Sequence, residues 1–87
     1  NDVEAIRLIN DSKYGLTSSI WSRNLSRSSI IAEELNTGTV FVNRCDYLDP
    51  SLPWCGVKET GMGCSLSYLG FHQVTRPKSY YIREIPK

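Results

Sequence analysis

Two stretches of the chain place apolar residues at helical spacing. Residues 2–11 carry apolar side chains on one face and paired charges on the other, which predicts a short amphipathic helix. A second helix is predicted over residues 25–36, with Asn24 as its N-cap. Gly38 would suit the left-handed backbone position just beyond this helix.

Three further stretches have the composition of strands. Residues 16–21 precede the second helix, and residues 39–42 follow it as an apolar, β-branched run typical of a strand covered on both faces. Strand, helix and strand in this order form a βαβ unit with parallel strands, so we predict an α/β fold. Residues 79–85, bounded by Pro77 and Pro86, are predicted to form a C-terminal edge strand that needs a partner.

The segments between these elements point to a site at the edge of the sheet. Ligands of open parallel sheets bind beyond the carboxyl ends of the strands, where residues 43–56 leave the second strand. Their aromatic and apolar side chains either belong to a ligand site or simply seal the sheet edge. Residues 56–63 hold three glycines and Lys58 without the spacing of a P-loop, which favours a tight turn before a short helix around residues 65–72.

Five blocks of sequence together resemble the C-terminal part of aldehyde dehydrogenases. They follow one another in the order and at the spacing of that family and cover nearly all of the chain. The blocks are Tyr14-Gly15-Leu16, Ser19-Ile20-Trp21-Ser22, Gly38-Thr39-Val40-Phe41-Val42-Asn43, the run from Leu52 to Gly63, and Thr75-Arg76-Pro77-Lys78-Ser79.

The resemblance implies oxidation of an aldehyde to a carboxylic acid with NAD or NADP as the acceptor. In that family a cysteine thiolate adds to the aldehyde, and a glutamate activates the water that hydrolyses the thioester. Both residues and most of the cofactor-binding region belong to upstream motifs that these 87 residues do not include. The implied architecture is a βαβ fragment of a three-layer catalytic domain (residues 1–78) with an oligomerisation strand (residues 79–87), in a homodimer or homotetramer.

Position by position, the resemblance assigns roles to residues of this chain. The aldehyde tunnel would be lined by Tyr47, Leu48 and Trp54. The residues expected to support the active site are Asn43, Cys55, Gly56, Lys58, Gly61 and Gly63. The residues expected at subunit contacts are Tyr80, Tyr81, Ile82 and Arg83. Trp54 and Cys55 stand where Phe and Gly are usual in the family, and Cys64 where Arg is common, so the chain resembles a divergent subgroup.

Composition limits the expected partners. The net charge of +1 gives no electrostatic reason to expect nucleic acid or an anionic membrane surface. No apolar run approaches the roughly 18 residues of a membrane helix. The three cysteines at wide spacing favour reduced thiols, including a tunnel-wall thiol at Cys55, and hence a cytoplasmic protein.

Two alternatives stay open beside the enzyme interpretation. The cysteines and the single histidine could be combined into a zinc set, but they lack the short Cys-x2–4-Cys spacing of structural zinc sites, so we expect no metal. A non-catalytic homologue that associates through its last strand is the second alternative. The chain begins without Met inside a helical pattern, which suggests a fragment, a processed chain or a deliberately shortened chain.

Overall fold

The first part of the chain folds as predicted into two helices that begin at side-chain caps. Residues 1–86 are described by a computed structural model, in which α1 spans Asp2–Asn10 and α2 spans Leu25–Glu34. The side chain of Asn24, the predicted cap of α2, accepts a hydrogen bond of 3.0 Å from the main-chain N–H of Arg27. The remaining elements are β1 (Tyr14–Gly15), β2 (Thr17–Ile20), β3 (Thr39–Val42), β4 (Trp54–Cys55), β5 (Val57–Lys58), β6 (Cys64–Ser65) and α3 (Leu69–Val74).

The strands form three short pairs. Strands β2 and β3 run parallel, from the pair Thr17 and Thr39 to the pair Ile20 and Val42, with α2 as the connection. The predicted βαβ unit is therefore confirmed. Strands β1 and β5 are antiparallel, and so are β4 and β6. The β1–β5 pair holds the glycine-rich segment against the beginning of the chain, and the β4–β6 pair joins the two ends of that segment.

The two longer helices lie side by side and point in the same direction. Near their starts, Arg27 Nε donates to Asp2 Oδ2 at 2.7 Å. Near their ends, Asn10 Nδ2 donates to the carbonyl oxygen of Glu34 at 2.8 Å, and Asn10 Oδ1 accepts from the N–H of Asn36 at 2.8 Å. Asn10 thereby satisfies a carbonyl that α2 leaves unpaired at its C-terminus.

The described chain buries very little apolar surface. Among residues 1–86, Leu35 is the one apolar side chain that is buried, with 7% of its surface exposed, beside the buried hydroxyl of Ser28. Each face of β3 stays half-exposed, although its apolar sequence suits a strand covered on both faces. These surfaces lack the neighbouring layer that an α/β domain places over its sheet. Within the described range, none of the helices combines the length and the apolar character needed to cross a membrane.

Near the C-terminus one predicted element is shifted, and the other stays a prediction. Helix α3 begins at Leu69, later than predicted, because Leu66 and Ser67 have positive φ angles of 64° and 50°, which interrupt a right-handed helix. Residues 75–86, which include the strand predicted over residues 79–85, have no regular structure in the described chain. A strand exists through its ladder of hydrogen bonds, and no segment within residues 1–86 pairs with this one. Lys87, the end of the predicted oligomerisation strand, lies outside the described residues.

Candidate functional site

Asn43 joins the carboxyl ends of the two parallel strands. It follows β3 directly, and its main-chain N–H donates to the carbonyl oxygen of Ile20 at 2.7 Å. Its side chain bonds both main-chain groups of Ser22: Oδ1 accepts from N at 2.8 Å and Nδ2 donates to O at 2.9 Å. The φ angle of Asn43 is 60°, a left-handed conformation that asparagine tolerates better than most residues. Asn43 thus fixes the edge of the sheet at which ligands of parallel sheets bind.

The segment that leaves Asn43 keeps its aromatic and apolar side chains at the surface. Tyr47 is 53% exposed and Leu48 is 59% exposed. The guanidinium carbon of Arg44 lies 4.1 Å from the centroid of the Tyr47 ring, within cation–π distance. Further along, Ser51 donates two hydrogen bonds to the carboxylate of Asp49, one from its hydroxyl and one from its main-chain N–H. Both lower the pKa of that carboxyl, the hydroxyl more than the N–H. The segment therefore has ordered polar contacts of its own.

Trp54 is half-buried in β4, opposite Ser65 of β6. It lines a cavity of about 190 Å³ together with Leu16 and with residues of the glycine-rich turn. Tyr47 and Leu48 are not among the lining residues of this cavity within the described chain. The structure thus brings Trp54 to the glycine-rich turn and leaves the other two predicted tunnel residues on a separate, exposed segment.

The glycine-rich segment is a tight turn, as the sequence predicted. Gly56 lies between β4 and β5. Gly61 and Gly63 have φ angles of 129° and 93°, which residues with a β-carbon rarely adopt. These two glycines allow the chain to reverse between β5 and β6, and so they bring Cys64 back beside Cys55.

Lys58 fastens this turn to the beginning of the chain. Its ammonium group donates to the carbonyl oxygen of Asn10 at 2.7 Å and to that of Ser12 at 2.9 Å. The first carbonyl belongs to the last residue of helix α1 and the second lies two residues beyond it, so the lysine completes hydrogen bonds at a helix end that carries partial negative charge. Since the ammonium group is held by carbonyl oxygens, the turn does not fit a phosphate-binding loop.

Cys55 and Cys64 are joined by a disulfide bond, which corrects the prediction of reduced thiols. Their Cα atoms lie 4.6 Å apart as register partners of β4 and β6. Cys45 is free and exposed. Sequence reasoning missed this pair because an odd number of cysteines at wide spacing was interpreted as a set of reduced thiols. The available signal was two cysteines at the two ends of a glycine-rich turn.

The disulfide also bears on the zinc alternative. It uses the sulfur atoms of two of the four residues in that set. Among residues 1–86, no three His, Cys, Asp or Glu side chains come together in a group that could hold a metal ion. The geometry therefore offers nothing in favour of a zinc-binding module.

A close backbone contact links the turn to the parallel strands. A β-carbon built on Gly38 would lie 1.5 Å from the carbonyl oxygen of Cys55 and 2.6 Å from its carbonyl carbon. The φ angle of Gly38 is not among the positive ones, so the predicted left-handed role is wrong. Glycine is needed at this position because the main chain of Cys55 lies directly against it.

Sequence comparison connects these features to known enzymes. Residues 1–80 match the aldehyde dehydrogenase family. The NADP/NAD-dependent aldehyde dehydrogenase PuuC of Escherichia coli (strain K12) is 35% identical over 82 residues, which cover 94% of this chain and 17% of that protein. The NADP+ succinate-semialdehyde dehydrogenase of Deinococcus radiodurans is 40% identical over 75 residues, which cover 86% of this chain and 16% of that protein. The chain thus spans less than a fifth of the length of these relatives.

Solved structures agree with the sequence match. The succinic semialdehyde dehydrogenase of Streptococcus pyogenes, solved in complex with NADP+, has a TM-score of 0.87 and 37% identity over 97% of this chain and 18% of that one. The aldehyde dehydrogenase KauB of Pseudomonas aeruginosa has a TM-score of 0.85 and 36% identity over 94% of this chain and 17% of that one. The predicted α/β fold is confirmed, and the chain belongs to the aldehyde dehydrogenase family.

Proposed function

We propose that this chain is part of an oxidoreductase that oxidises an aldehyde to a carboxylic acid, with NAD or NADP as the acceptor. The match of residues 1–80 to the aldehyde dehydrogenase family is the observation that carries this proposal. The backbone similarity to an enzyme solved with NADP+ supports it further. Because the chain spans only about a fifth of such enzymes or less, the activity is proposed for the whole natural protein.

In this proposal the chain contributes structure around the substrate and no reacting group. The catalytic cysteine, the glutamate and most of the cofactor site would come from other parts of the parent enzyme. The nucleotide supplies the hydride acceptor when it is bound. The ammonium group of Lys58 is already held by two carbonyl oxygens, so the glycine-rich turn is not proposed to bind the phosphates of the nucleotide. Its proposed role is to support the wall of the substrate tunnel.

The substrate wall is proposed to consist of Tyr47, Leu48 and Trp54. Two fixed points support this assignment: Asn43 holds the start of the segment to Ser22, and β4 holds its end against β6. A segment anchored at both ends can present side chains at a defined edge of the sheet. The half-buried indole of Trp54 supplies a large, rigid apolar surface for an aldehyde chain. Trp54 would set the width of the tunnel at one end.

The C-terminal segment is proposed to join a neighbouring subunit in a homodimer or homotetramer. Tyr80 is 73% exposed, Tyr81 94% and Ile82 83%, and Arg83 is also exposed. An extended segment with large apolar side chains and free main-chain groups gains most by adding to the edge of another sheet. The low net charge of the chain favours neither nucleic acid nor an anionic membrane as a partner.

A non-catalytic homologue that uses only this association is the second candidate. The exposed C-terminal segment is the observation that favours it. The two candidates differ in one property, which is the reduction of NAD+ or NADP+ by the whole natural protein in the presence of an aldehyde.

The test combines that assay with two variants of Trp54. The natural protein is expected to form NADH or NADPH with at least one aldehyde of a panel graded in chain length and width. Trp54→Ala should raise the KM for the preferred aldehyde about 10- to 100-fold, because it removes apolar contact area from the wall. Trp54→Phe, which keeps an aromatic ring, is the matched control and should stay within about fivefold of the unmodified protein. No turnover with any aldehyde would overturn the enzyme proposal. Turnover with an unchanged KM in Trp54→Ala would overturn the proposal that Trp54 forms part of the substrate wall.

A further inference from the structure

The Cys55–Cys64 disulfide occupies a position from which it can control the substrate wall. Trp54 directly precedes Cys55 on β4, and its register partner Ser65 directly follows Cys64 on β6. The disulfide therefore crosslinks the same two-residue strand pair that holds the indole. Because Trp54 lies on β4 itself, any change in the spacing of β4 and β6 changes the position of Trp54 directly.

The disulfide also connects to the parallel strands through the main chain. The carbonyl group of Cys55 lies against Gly38, with no room for a β-carbon between them. Gly38 in turn donates its N–H to the carbonyl oxygen of Gly15 at 3.0 Å, just before β3 begins. The backbone of Cys55 is thus fixed on one side, and the sulfur bridge fixes Cys64 and the end of the turn to it.

Both cysteines are partly exposed, and Cys64 also lines two cavities that are open to small molecules. Cys55 and Cys64 are each half-buried. Cys64 lines the cavity that contains Trp54, and it also lines a second cavity of about 410 Å³ between β6 and α3. Cysteines that react reversibly combine a close partner with partial access, whereas inert structural cysteines are fully enclosed.

We propose that Cys55 and Cys64 form a reversible redox site that sets the position of Trp54. In the oxidising direction, one thiolate attacks a low-molecular-weight disulfide such as glutathione disulfide and releases one glutathione thiol. The second cysteine then attacks the mixed disulfide, forms the Cys55–Cys64 bond and releases the second glutathione thiol. Two protein thiols lose two electrons and two protons, and one glutathione disulfide becomes two thiols. A dithiol reductant reverses the exchange.

Oxidation would hold β4 and β6 together and keep the indole in place, whereas reduction would free the end of the glycine-rich turn. We expect the aldehyde KM to differ about tenfold between the two states, since a displacement on the order of 1 Å near reacting groups has effects of this size or larger. This regulatory consequence rests on the function proposed above. The redox site itself does not.

The redox site is tested on the natural protein by peptide mapping. Trypsin cleaves after Lys58, between the two cysteines, and not at the Arg76–Pro77 bond, so the fragments are residues 45–58 and 59–78. After exposure to glutathione disulfide and acid quenching, the two fragments are expected as one linked species. After dithiothreitol they should appear separately, each alkylated. Separate alkylated fragments under both conditions would overturn the proposal.

The third cysteine provides the matched control. Cys45 lies on the same tryptic fragment as Cys55, so a link could in principle arise from either thiol. Cys45→Ser should retain the linked species, and Cys64→Ser should abolish it. A link that disappears in Cys45→Ser would assign the reactive thiol to Cys45 and contradict the site.

The regulatory consequence is tested separately by kinetics. The KM for the preferred aldehyde is compared between protein treated with glutathione disulfide and protein treated with dithiothreitol. The difference in KM between the two treatments should persist in Cys45→Ser and vanish in Cys64→Ser. Comparing the two variants removes any effect that the oxidant has on cysteines elsewhere in the enzyme. Equal KM values in both states would overturn the regulation. A protein that forms the linked species but is inactive in both states would refute the proposed function and leave the redox site supported.

Discussion

Gly38→Ala is expected to be among the most damaging single-methyl additions in this chain. The new β-carbon would lie 1.5 Å from the carbonyl oxygen of Cys55, where side-chain contacts closer than 3.0 Å are essentially never found. The β-carbon is fixed by the Gly38 backbone and the Cys55 oxygen is main chain, so neither atom can rotate away. One of the two backbones must move by about 1.5 Å to relieve the overlap.

That movement has a cost that can be estimated from the neighbouring hydrogen bonds. The N–H of Gly38 donates to Gly15 at 3.0 Å, and the N–H of Thr39 donates to Leu16 at 3.1 Å. Overpacking alone costs about 1–3 kcal/mol, and weakening each hydrogen bond adds about 0.5–1.5 kcal/mol. Gly38→Ala should therefore lower the free energy of unfolding by about 2–6 kcal/mol, a large share of the stability of a typical domain.

The assay is urea unfolding of the natural protein at fixed concentration, with Gly70→Ala as the matched control. A β-carbon on Gly70 would lie 3.4 Å from its nearest neighbour, which is an ordinary contact, and alanine suits helix α3 better than glycine does. Gly70→Ala should leave the free energy of unfolding unchanged or raise it by up to about 1 kcal/mol. A Gly38→Ala protein that unfolds within about 0.5 kcal/mol of the unmodified one would refute the close backbone contact.

Three further predictions concern the polar contacts around the site. Asn43→Ala removes two hydrogen bonds to Ser22 and places alanine at a φ angle of 60°, which alanine tolerates less well than asparagine. The free energy of unfolding, measured in urea, should therefore fall by about 1–3 kcal/mol. An equal loss in Asn43→Gly would show that backbone strain plays no part. Lys58→Met leaves two main-chain carbonyls without their donor and should lower the urea midpoint, whereas an unchanged midpoint would mean that water replaces the ammonium group at no cost. The hydrogen bond from Arg27 lowers the pKa of the Asp2 carboxyl. The unmodified protein should therefore be more stable than Asp2→Asn at neutral pH, and this difference should vanish as the pH falls below about 4. A stability difference that does not depend on pH in urea titrations would contradict this ion pair.

Local signals in the sequence were sufficient for the first half of the fold. The cap at Asn24 and the apolar spacing of residues 25–36 located α2 to within a few residues. The β-branched run over residues 39–42 gave β3 with its observed bounds. These features are set by neighbours three or four residues apart, so propensity and periodicity carry the information.

Contacts between distant segments were beyond such reasoning. The role of Gly38 depends on a carbonyl group in β4, and the Cys55–Cys64 bond depends on the register of two strands of two residues each. Neither strand is long enough to show a periodic pattern. The strand predicted over residues 79–85 stays a prediction for a related reason, since a strand needs a partner that no described segment provides.

The roles predicted for the site residues stay predictions. Trp54 lines one cavity together with the glycine-rich turn, and its role in a substrate wall is proposed from that position. Tyr47 and Leu48 lie on a segment whose exposed side chains contact no opposing layer of the described chain, so their role in a tunnel stays a prediction. The subunit contacts of Tyr80 and Tyr81 stay predictions for the same reason.

The most direct test of the account is the stoichiometry of the reaction catalysed by the whole natural protein. With a suitable aldehyde and NAD+ or NADP+, we predict one equivalent of NADH or NADPH and one equivalent of the corresponding carboxylic acid for each aldehyde consumed. Both products are measured in the same sample, the reduced nucleotide by absorbance and the acid by mass spectrometry. If aldehyde disappears without both products, or no aldehyde of the panel is consumed, the protein is not an aldehyde-oxidising dehydrogenase and the central claim is contradicted.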